Sequence, residues 1–213
     1  MKIVIKSAGL LVLLVAVVSC HNNKNTQSNN SIEGDKTGTF TDKRDSTEYK
    51  WVRIGGQYWM AENLAYKPAE GKYWAYNNDQ NNVAKYGYLY DWETAKNVCP
   101  SGWHLPSDAE WTTLTDYLGG KEVAGGKLKE AGTKHWHIPN GGATNESGFA
   151  ARPGGGLNNN GSFNGIGNAA GWWISTEDST KGAWIRSMNY LFSSVSRSNY
   201  DKEYGFSVRC LRD

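Results

Sequence analysis

Frequent glycines are the feature that most restricts the fold of this chain. Its 213 residues include 25 glycines, and several stand in clusters such as RPGGGL, NNNG and NGIGN between residues 152 and 168. Glycine and asparagine favour tight turns and interrupt helices. We therefore expect residues 47–213 to fold from short elements joined by long Gly/Asn-rich loops, with no long helix.

The segment CPSGWHLPSDAEWTTL, residues 99–114, predicts the start of a helix rather than a catalytic centre. Ser107 and Glu110 have the spacing of a capping box, in which each side chain accepts a hydrogen bond from the backbone of the other residue. Gly119 lies where such a helix would end. The apolar residues between them form one stripe along the helix: Trp111, Leu114 and Leu118. Only His104 is left without a structural role.

Strands are predicted at both ends of the domain. The run WVRIGGQYWM, residues 51–60, is typical of two strands joined by a glycine turn. The runs GWWISTE, GAWIRSMNYLF and YGFSVRC predict later strands, and VAGGKLKEAG, residues 123–132, is a candidate second helix. The predicted fold class is α+β, with two main short helices and small antiparallel sheets.

The first 46 residues are predicted to lie outside this domain. Lysines, an apolar run and small residues before Cys20 give residues 1–19 the layout of a signal peptide. The run VVSC resembles the lipidation signal of bacterial lipoproteins, and an ordinary signal peptide with a chance cysteine is the alternative. Residues 20–46 are then the lipidated N-terminus and a disordered tether. This layout predicts an exported protein anchored by lipid to a bacterial membrane, the outer membrane, on its periplasmic or cell-surface side.

Two cysteines remain in the domain, Cys99 and Cys210. In an exported chain, two cysteines most simply form one disulfide. A reactive or metal-binding pair is the alternative interpretation.

An excess of aromatic residues suggests a binding surface. All ten tryptophans lie after residue 46. Exposed aromatic side chains near amide groups can stack on sugar rings and can anchor protein interfaces. Because neighbouring residues of a strand point to opposite faces, one of Trp172 and Trp173 could be exposed. The hypothesis is a ligand groove built from Trp136, Asn158, Asn160, Trp172, Trp173 and Trp184; tryptophans that only fill the core are the alternative.

A catalytic or metal-binding function is less well supported than a binding surface. His135 and His137 would share one face of a strand, a spacing compatible with two zinc or copper ligands. A third ligand is lacking unless His104 supplies it, so surface or loop-packing histidines are the favoured interpretation and no cofactor is predicted. No nucleophile elbow or Ser-His-Asp arrangement is recognisable. A net charge of +2 without a basic patch argues against a nucleic-acid partner.

Six blocks in one order carry a family resemblance: YGYLYDWETA, CPSGWHLPSDAEW, GGKLKEAG, NESGFAARPGG, WWISTE and YGFSVRCLRD. Together they resemble the Fibrobacter succinogenes major paralogous domain family over about residues 49–213. That family occurs on exported bacterial proteins, many of them lipoproteins. The resemblance therefore implies location and fold rather than a particular reaction.

A more distant resemblance links GWHLPSDAEW and YGFSVRC to formylglycine-generating enzymes. It implies a C-type-lectin-like architecture in which strands from both chain ends pair, here residues 51–54 beside residues 206–209. The close cysteine pair of those enzymes is absent from this chain. The run Ile138, Pro139, Asn140 lacks the carboxylate that a calcium-dependent lectin motif requires.

These observations predict a membrane-anchored lipoprotein that displays a non-catalytic binding domain for a glycan or an envelope protein. One alternative is an enzyme derived from the formylglycine-generating fold, metal-dependent through His135 and His137. The other is a purely structural component of the cell envelope.

Overall fold

The computed structural model describes residues 36–213. The predicted signal peptide, the lipid site at Cys20 and the tether up to residue 35 lie outside the described residues. The strands are β1 (Thr37–Asp42), β2 (Thr47–Ile54), β3 (Gln57–Met60), β4 (Tyr73–Trp74), β5 (Leu89–Tyr90), β6 (Trp103–His104), β7 (Gly154–Leu157), β8 (Phe163–Ile166), β9 (Ala169–Glu177), β10 (Gly182–Asn189), β11 (Ser196–Asp201), β12 (Phe206–Ser207) and β13 (Leu211–Arg212). The helices are α1 (Val83–Tyr86), α2 (Trp92–Ala95), α3 (Asp108–Tyr117) and α4 (Lys121–Leu128), with 3-10 turns at Tyr76–Asn78 and Gln80–Asn82.

This is the predicted α+β class, with mostly strands and two helices, α3 and α4, longer than one turn among the described residues. No helix within residues 36–213 combines the length and the apolar character needed to cross a bilayer. The disulfide between Cys99 and Cys210 is confirmed, and it joins the loop after α2 to the residue before β13.

The first sheet is antiparallel, with the strand order β1-β2-β3-β13-β6. β2 and β3 form the predicted hairpin, and β13 pairs with β3 through Leu211 and Trp59. The predicted pairing of residues 51–54 with residues 206–209 is therefore wrong. β3 lies between β2 and the C-terminal strand, and β12 belongs to the other sheet.

Strand β1 moves the start of the domain toward the N-terminus. The prediction of a tether over residues 20–46 is wrong for residues 37–42, because these pair in continuous register with β2. Phe40 stacks on Trp103 with 4.3 Å between ring centroids, and the buried Asp42 pairs with Arg44 at 2.6 Å. An edge strand buries only part of its side chains, so its polar composition resembles that of a disordered segment.

The second sheet is mixed, with the order β11-β10-β9-β12-β5-β4. β7 and β12 both run parallel to β9, and β8 pairs with β7. The loop predicted from the glycines of residues 152–168 therefore contains a hairpin. Gly155 has φ +64°, and a Cβ there would lie 2.3 Å from the carbonyl oxygen of Asn164, so this hairpin depends on the absence of a side chain.

Strand β9 separates two apolar clusters of the core. Trp173 packs in one cluster and Trp172 in the other, and both are fully buried. The expectation that one of them is exposed is wrong, because both faces of β9 are covered. Seven of the ten tryptophans are buried, which supports the alternative that most of them fill the core: Trp59, Trp92, Trp103, Trp111, Trp136, Trp172 and Trp173.

The capping box of α3 is present. The Ser107 Oγ accepts from the Glu110 amide at 3.3 Å, and the Ser107 amide donates to the Glu110 Oε2 at 2.7 Å. The helix then ends before Gly119, whose φ of +98° suits glycine at a helix end. α2 is capped in a similar way, since the Asp91 side chain accepts from the Thr94 amide at 2.9 Å.

Replacing Ser107 with alanine is expected to lower the free energy of unfolding by about 1 kcal/mol, the usual effect of losing an N-terminal cap. Urea denaturation followed by tryptophan fluorescence measures this change. Thr113→Ala is a suitable control, because this exposed hydroxyl bonds only within the helix, to the carbonyl of Ala109. Equal stability of Ser107→Ala and the parent chain would contradict a stabilising cap.

Candidate functional site

The structure does not assemble the groove predicted from tryptophans. Trp136, Trp172 and Trp173 are buried, and each indole N–H donates to an internal acceptor. Their acceptors are the carbonyl of Ala151, the side chain of Asn63 and the carbonyl of Tyr90, respectively. These three rings therefore have no face available to a ligand, and their place in the predicted groove is wrong.

Trp184 is only partly buried, but Arg197 covers its ring, with 3.4 Å between the guanidinium carbon and the ring centroid. Asn158 and Asn160 belong to the turn between β7 and β8, where they order the turn. Asn160 accepts from Ser162, and Asn158 accepts from the Asn164 side chain at 2.7 Å. Asn164 also lines a groove of the second sheet.

The histidines serve separate parts of the structure. Residues 131–136 form bends, so the strand on which His135 and His137 would share one face is not present. The Nδ1 of His135 lies 2.6 Å from Glu130, whereas the Nδ1 of His137 lies 2.8 Å from Asn168. Within residues 36–213, no three His, Cys, Asp or Glu side chains are grouped so that they could hold a metal ion.

His104 has the structural role that the sequence left open. Its Nδ1 lies 2.6 Å from Asp213 and its Nε2 lies 2.9 Å from Glu110, so it links the C-terminal residue to the capping box. Burial lowers the pKa of His104, but the hydrogen bonds to Asp213 and Glu110 outweigh this effect and raise the pKa above its usual value.

A groove lies on the face of the second sheet, and we call it the aromatic groove. Alternate residues of neighbouring strands share a face, and register places Ser187 of β10 opposite Gly171 of β9 and Ser196 of β11. The volume of the groove is about 180 Å³. Its principal lining residues are Gly156, Asn164, Gly171, Ser187, Asn189, Phe192, Ser196, Tyr200 and Phe206.

Two glycines make room for the floor of the aromatic groove. A Cβ on Gly171 would lie 2.8 Å from the Phe206 ring, and one on Gly156 would lie 2.9 Å from it. Phe206 is held from below by Trp173, with 5.0 Å between centroids in an edge-to-face arrangement. The packing thus fixes the position of the Phe206 ring in the floor. Trp173 supports that ring from beneath and does not itself line the groove.

Two exposed aromatic side chains stand beside this floor. Phe192 is 60% exposed in the turn after β10, and Tyr200 is 39% exposed on β11. Tyr200 packs edge-to-face on Phe206 at 5.0 Å. Amide and hydroxyl groups lie around these rings, including Asn164, whose side chain Asn158 holds in place.

The chemistry of the aromatic groove is neutral. Among the described residues that line it, none carries a carboxylate, imidazole, thiol, amine or guanidinium. Proton transfer and metal ligation draw on those groups. The arrangement can instead offer aromatic faces and neutral hydrogen-bond donors and acceptors to a ligand.

Sequence reasoning missed Phe192 and Tyr200 because it weighted tryptophan over the other aromatic residues. A signal was available in the C-terminal third, where NYLF and SNYD place aromatic residues among asparagines and serines. That pattern is less suited to a buried strand than GWWIS is, because its flanking residues are polar.

Comparison with protein families gives one match. The family model described as the Fibrobacter succinogenes major domain matches residues 52–212, which is most of the chain. The chain therefore belongs to this family, as the ordered sequence blocks predict. Neither the curated proteins nor the solved structures include a significant match.

Proposed function

We propose that this member of the Fibrobacter succinogenes major domain family is an exported, lipid-anchored binding protein whose aromatic groove holds a neutral glycan, without catalysis. The observation that carries the proposal is the lining of the groove, which combines aromatic rings with amides and hydroxyls and lacks charged groups. A sugar presents apolar ring faces and neutral hydroxyls, and this lining complements both.

The size of the groove suits one ring of a longer chain. Its volume of about 180 Å³ is smaller than the range of roughly 300–1,000 Å³ typical of pockets that enclose a whole small molecule. A polysaccharide could lie across the sheet with one residue seated against Tyr200 and Phe206. A glycan is therefore a better match than a compact metabolite.

Export and anchoring form part of the same proposal. A disulfide is typical of oxidising compartments, and the Cys99–Cys210 bond supports export. The apolar run before Cys20 supports lipidation at that cysteine and attachment to a bacterial membrane. We propose the outer membrane as the site of attachment. The proposed architecture is C-type-lectin-like, supported by an α+β domain whose N-terminal and C-terminal strands share one sheet.

Binding to a glycan array, followed by calorimetry with the best neutral oligosaccharide, tests the proposal on the purified chain. We expect Tyr200→Ala to weaken binding by about 2 kcal/mol, roughly 30-fold in Kd, as for an aromatic residue central to an interface. Phe192→Ala should weaken binding in the same direction. EDTA should have no effect, because the lining offers no carboxylate ligand for calcium.

Tyr117→Ala is the matched control, because Tyr117 is 66% exposed and lies on α3, outside the aromatic groove. Equal loss of binding in Tyr117→Ala and Tyr200→Ala would contradict a site in the groove. Absence of glycan binding would favour a structural envelope role. Zinc or copper retained by the purified chain and lost in His135→Ala would favour the enzyme alternative.

A further inference from the structure

A second pocket lies between β2, the segment after β3, α1 and residues 150–152, and we call it the cationic pocket. Its volume is about 190 Å³, and it shares no lining residue with the aromatic groove. The charged groups in its lining are three cations and two carboxylates: Lys85, Arg152, Arg209, Glu48 and Glu62.

Arg209 lies at the base of the cationic pocket and is only 1% exposed. Its guanidinium donates to neutral acceptors. It bonds to the Asn63 Oδ1 at 2.8 and 3.2 Å, to the carbonyl of Phe149, and to that of Ala150 at 3.4 Å. Among the described residues it forms no ion pair.

A buried charge with only neutral partners is unfavourable, and buried charges are ordinarily paired. Burial, and then the charge of Arg152, lower the pKa of Arg209 to about 9, while the more weakly acting Glu62 opposes the shift. An anion in the cationic pocket would supply the missing counter-charge.

The rim of the pocket has cationic groups that remain available to a ligand. Arg152 donates through Nε to Glu130 at 3.2 Å and through Nη1 to the carbonyl of Lys85 at 3.0 Å. Its Nη2 has no hydrogen-bond partner within the described part of the chain. The exposed Lys85 ammonium likewise forms no ion pair there.

We propose that the cationic pocket binds the carboxylate of a small organic acid, with Arg152 and Lys85 in contact with it and Arg209 beneath. A carboxylate fits better than a phosphate, because Glu48 and Glu62 in the lining oppose a dianion. The Glu62 carboxylate already has a partner within the protein, since its Oε2 accepts from the Lys50 amide at 2.9 Å. The pocket thus has room and charge for one carboxylate.

Titration of the purified full chain with N-acetylglycine, followed by calorimetry, tests this proposal, and N-acetylglycinamide is the neutral counterpart of the probe. We expect saturable binding of the acid that weakens with added salt, and binding at least about tenfold weaker for the amide. Arg152→Gln should weaken binding of the acid about tenfold, as expected for the loss of a charge-assisted hydrogen bond. Lys121→Gln, at an exposed lysine of α4, should leave binding unchanged.

The variant Lys85→Gln gives a second measurement, because this side chain is exposed and its ammonium forms no ion pair within residues 36–213. If Arg152→Gln fails to fold, the effect of Lys85→Gln decides. Tyr200→Ala should retain binding of N-acetylglycine, which separates this pocket from the aromatic groove. Equal affinity for the acid and the amide, no saturable binding of either, or equal effects of Lys85→Gln and Lys121→Gln would overturn the proposal.

Discussion

Removal of the Cys99–Cys210 disulfide is expected to lower the free energy of unfolding by as much as about 5 kcal/mol. The bond joins residues separated by 111 positions, and the stabilisation from constraining the unfolded chain grows with the logarithm of that separation. Loss of the bond frees that end of the chain in the unfolded state.

Thermal melting of the purified chain with and without a reducing agent measures this effect. Reduction keeps both sulfur atoms in place, whereas Cys99→Ala with Cys210→Ala also removes volume from the core, where Cys210 is fully buried. The difference between the two experiments therefore separates the cross-link from the cavity. An unchanged melting temperature after verified reduction would contradict a stabilising role.

Local patterns were the part of the fold that sequence could predict. The capping box of Ser107 and Glu110, the hairpin turn at Gly55 and the cap at Asp91 depend on residues only a few positions apart. The disulfide was predictable because the domain contains only two cysteines, Cys99 and Cys210, which leave a single pairing. In each case the interaction needs little knowledge of the rest of the fold.

Burial was the part that sequence could not supply. The alternation in YGFSVRC predicts a strand with Ser207 and Arg209 on a solvated face, yet both are buried. Asn63, 146 positions from Arg209, provides the acceptor that makes this burial tolerable. Likewise, the aromatic groove combines residues from β7 through β12, so no contiguous sequence motif predicts it.

Replacing Asn63 is expected to have the second large effect, because one amide organises a buried polar network. Its Oδ1 accepts from Arg209 and from the Trp172 indole at 3.0 Å. Its Nδ2 donates to the carbonyl of Tyr86 at 2.8 Å and to Ser207 at 3.3 Å. Asn63→Ala leaves a buried guanidinium without its principal acceptor, and we expect a loss of about 3–5 kcal/mol in the free energy of unfolding.

Three further variants test whether the loss of stability comes from the unpaired Arg209 guanidinium rather than from a cavity. Asn63→Leu leaves no cavity but offers no acceptor, so it should be as destabilising as Asn63→Ala. Asn63→Asp keeps an oxygen for Arg209 and should be milder, while the exposed Asn159→Ala should stay within about 0.5 kcal/mol of the parent chain. Urea denaturation of all four variants provides the comparison, and near-parental stability of Asn63→Leu would show that the guanidinium does not depend on this amide.

Since Arg209 also forms the base of the cationic pocket, Asn63→Asp should in addition weaken binding of N-acetylglycine, because its carboxylate would supply the counter-charge that the ligand otherwise provides.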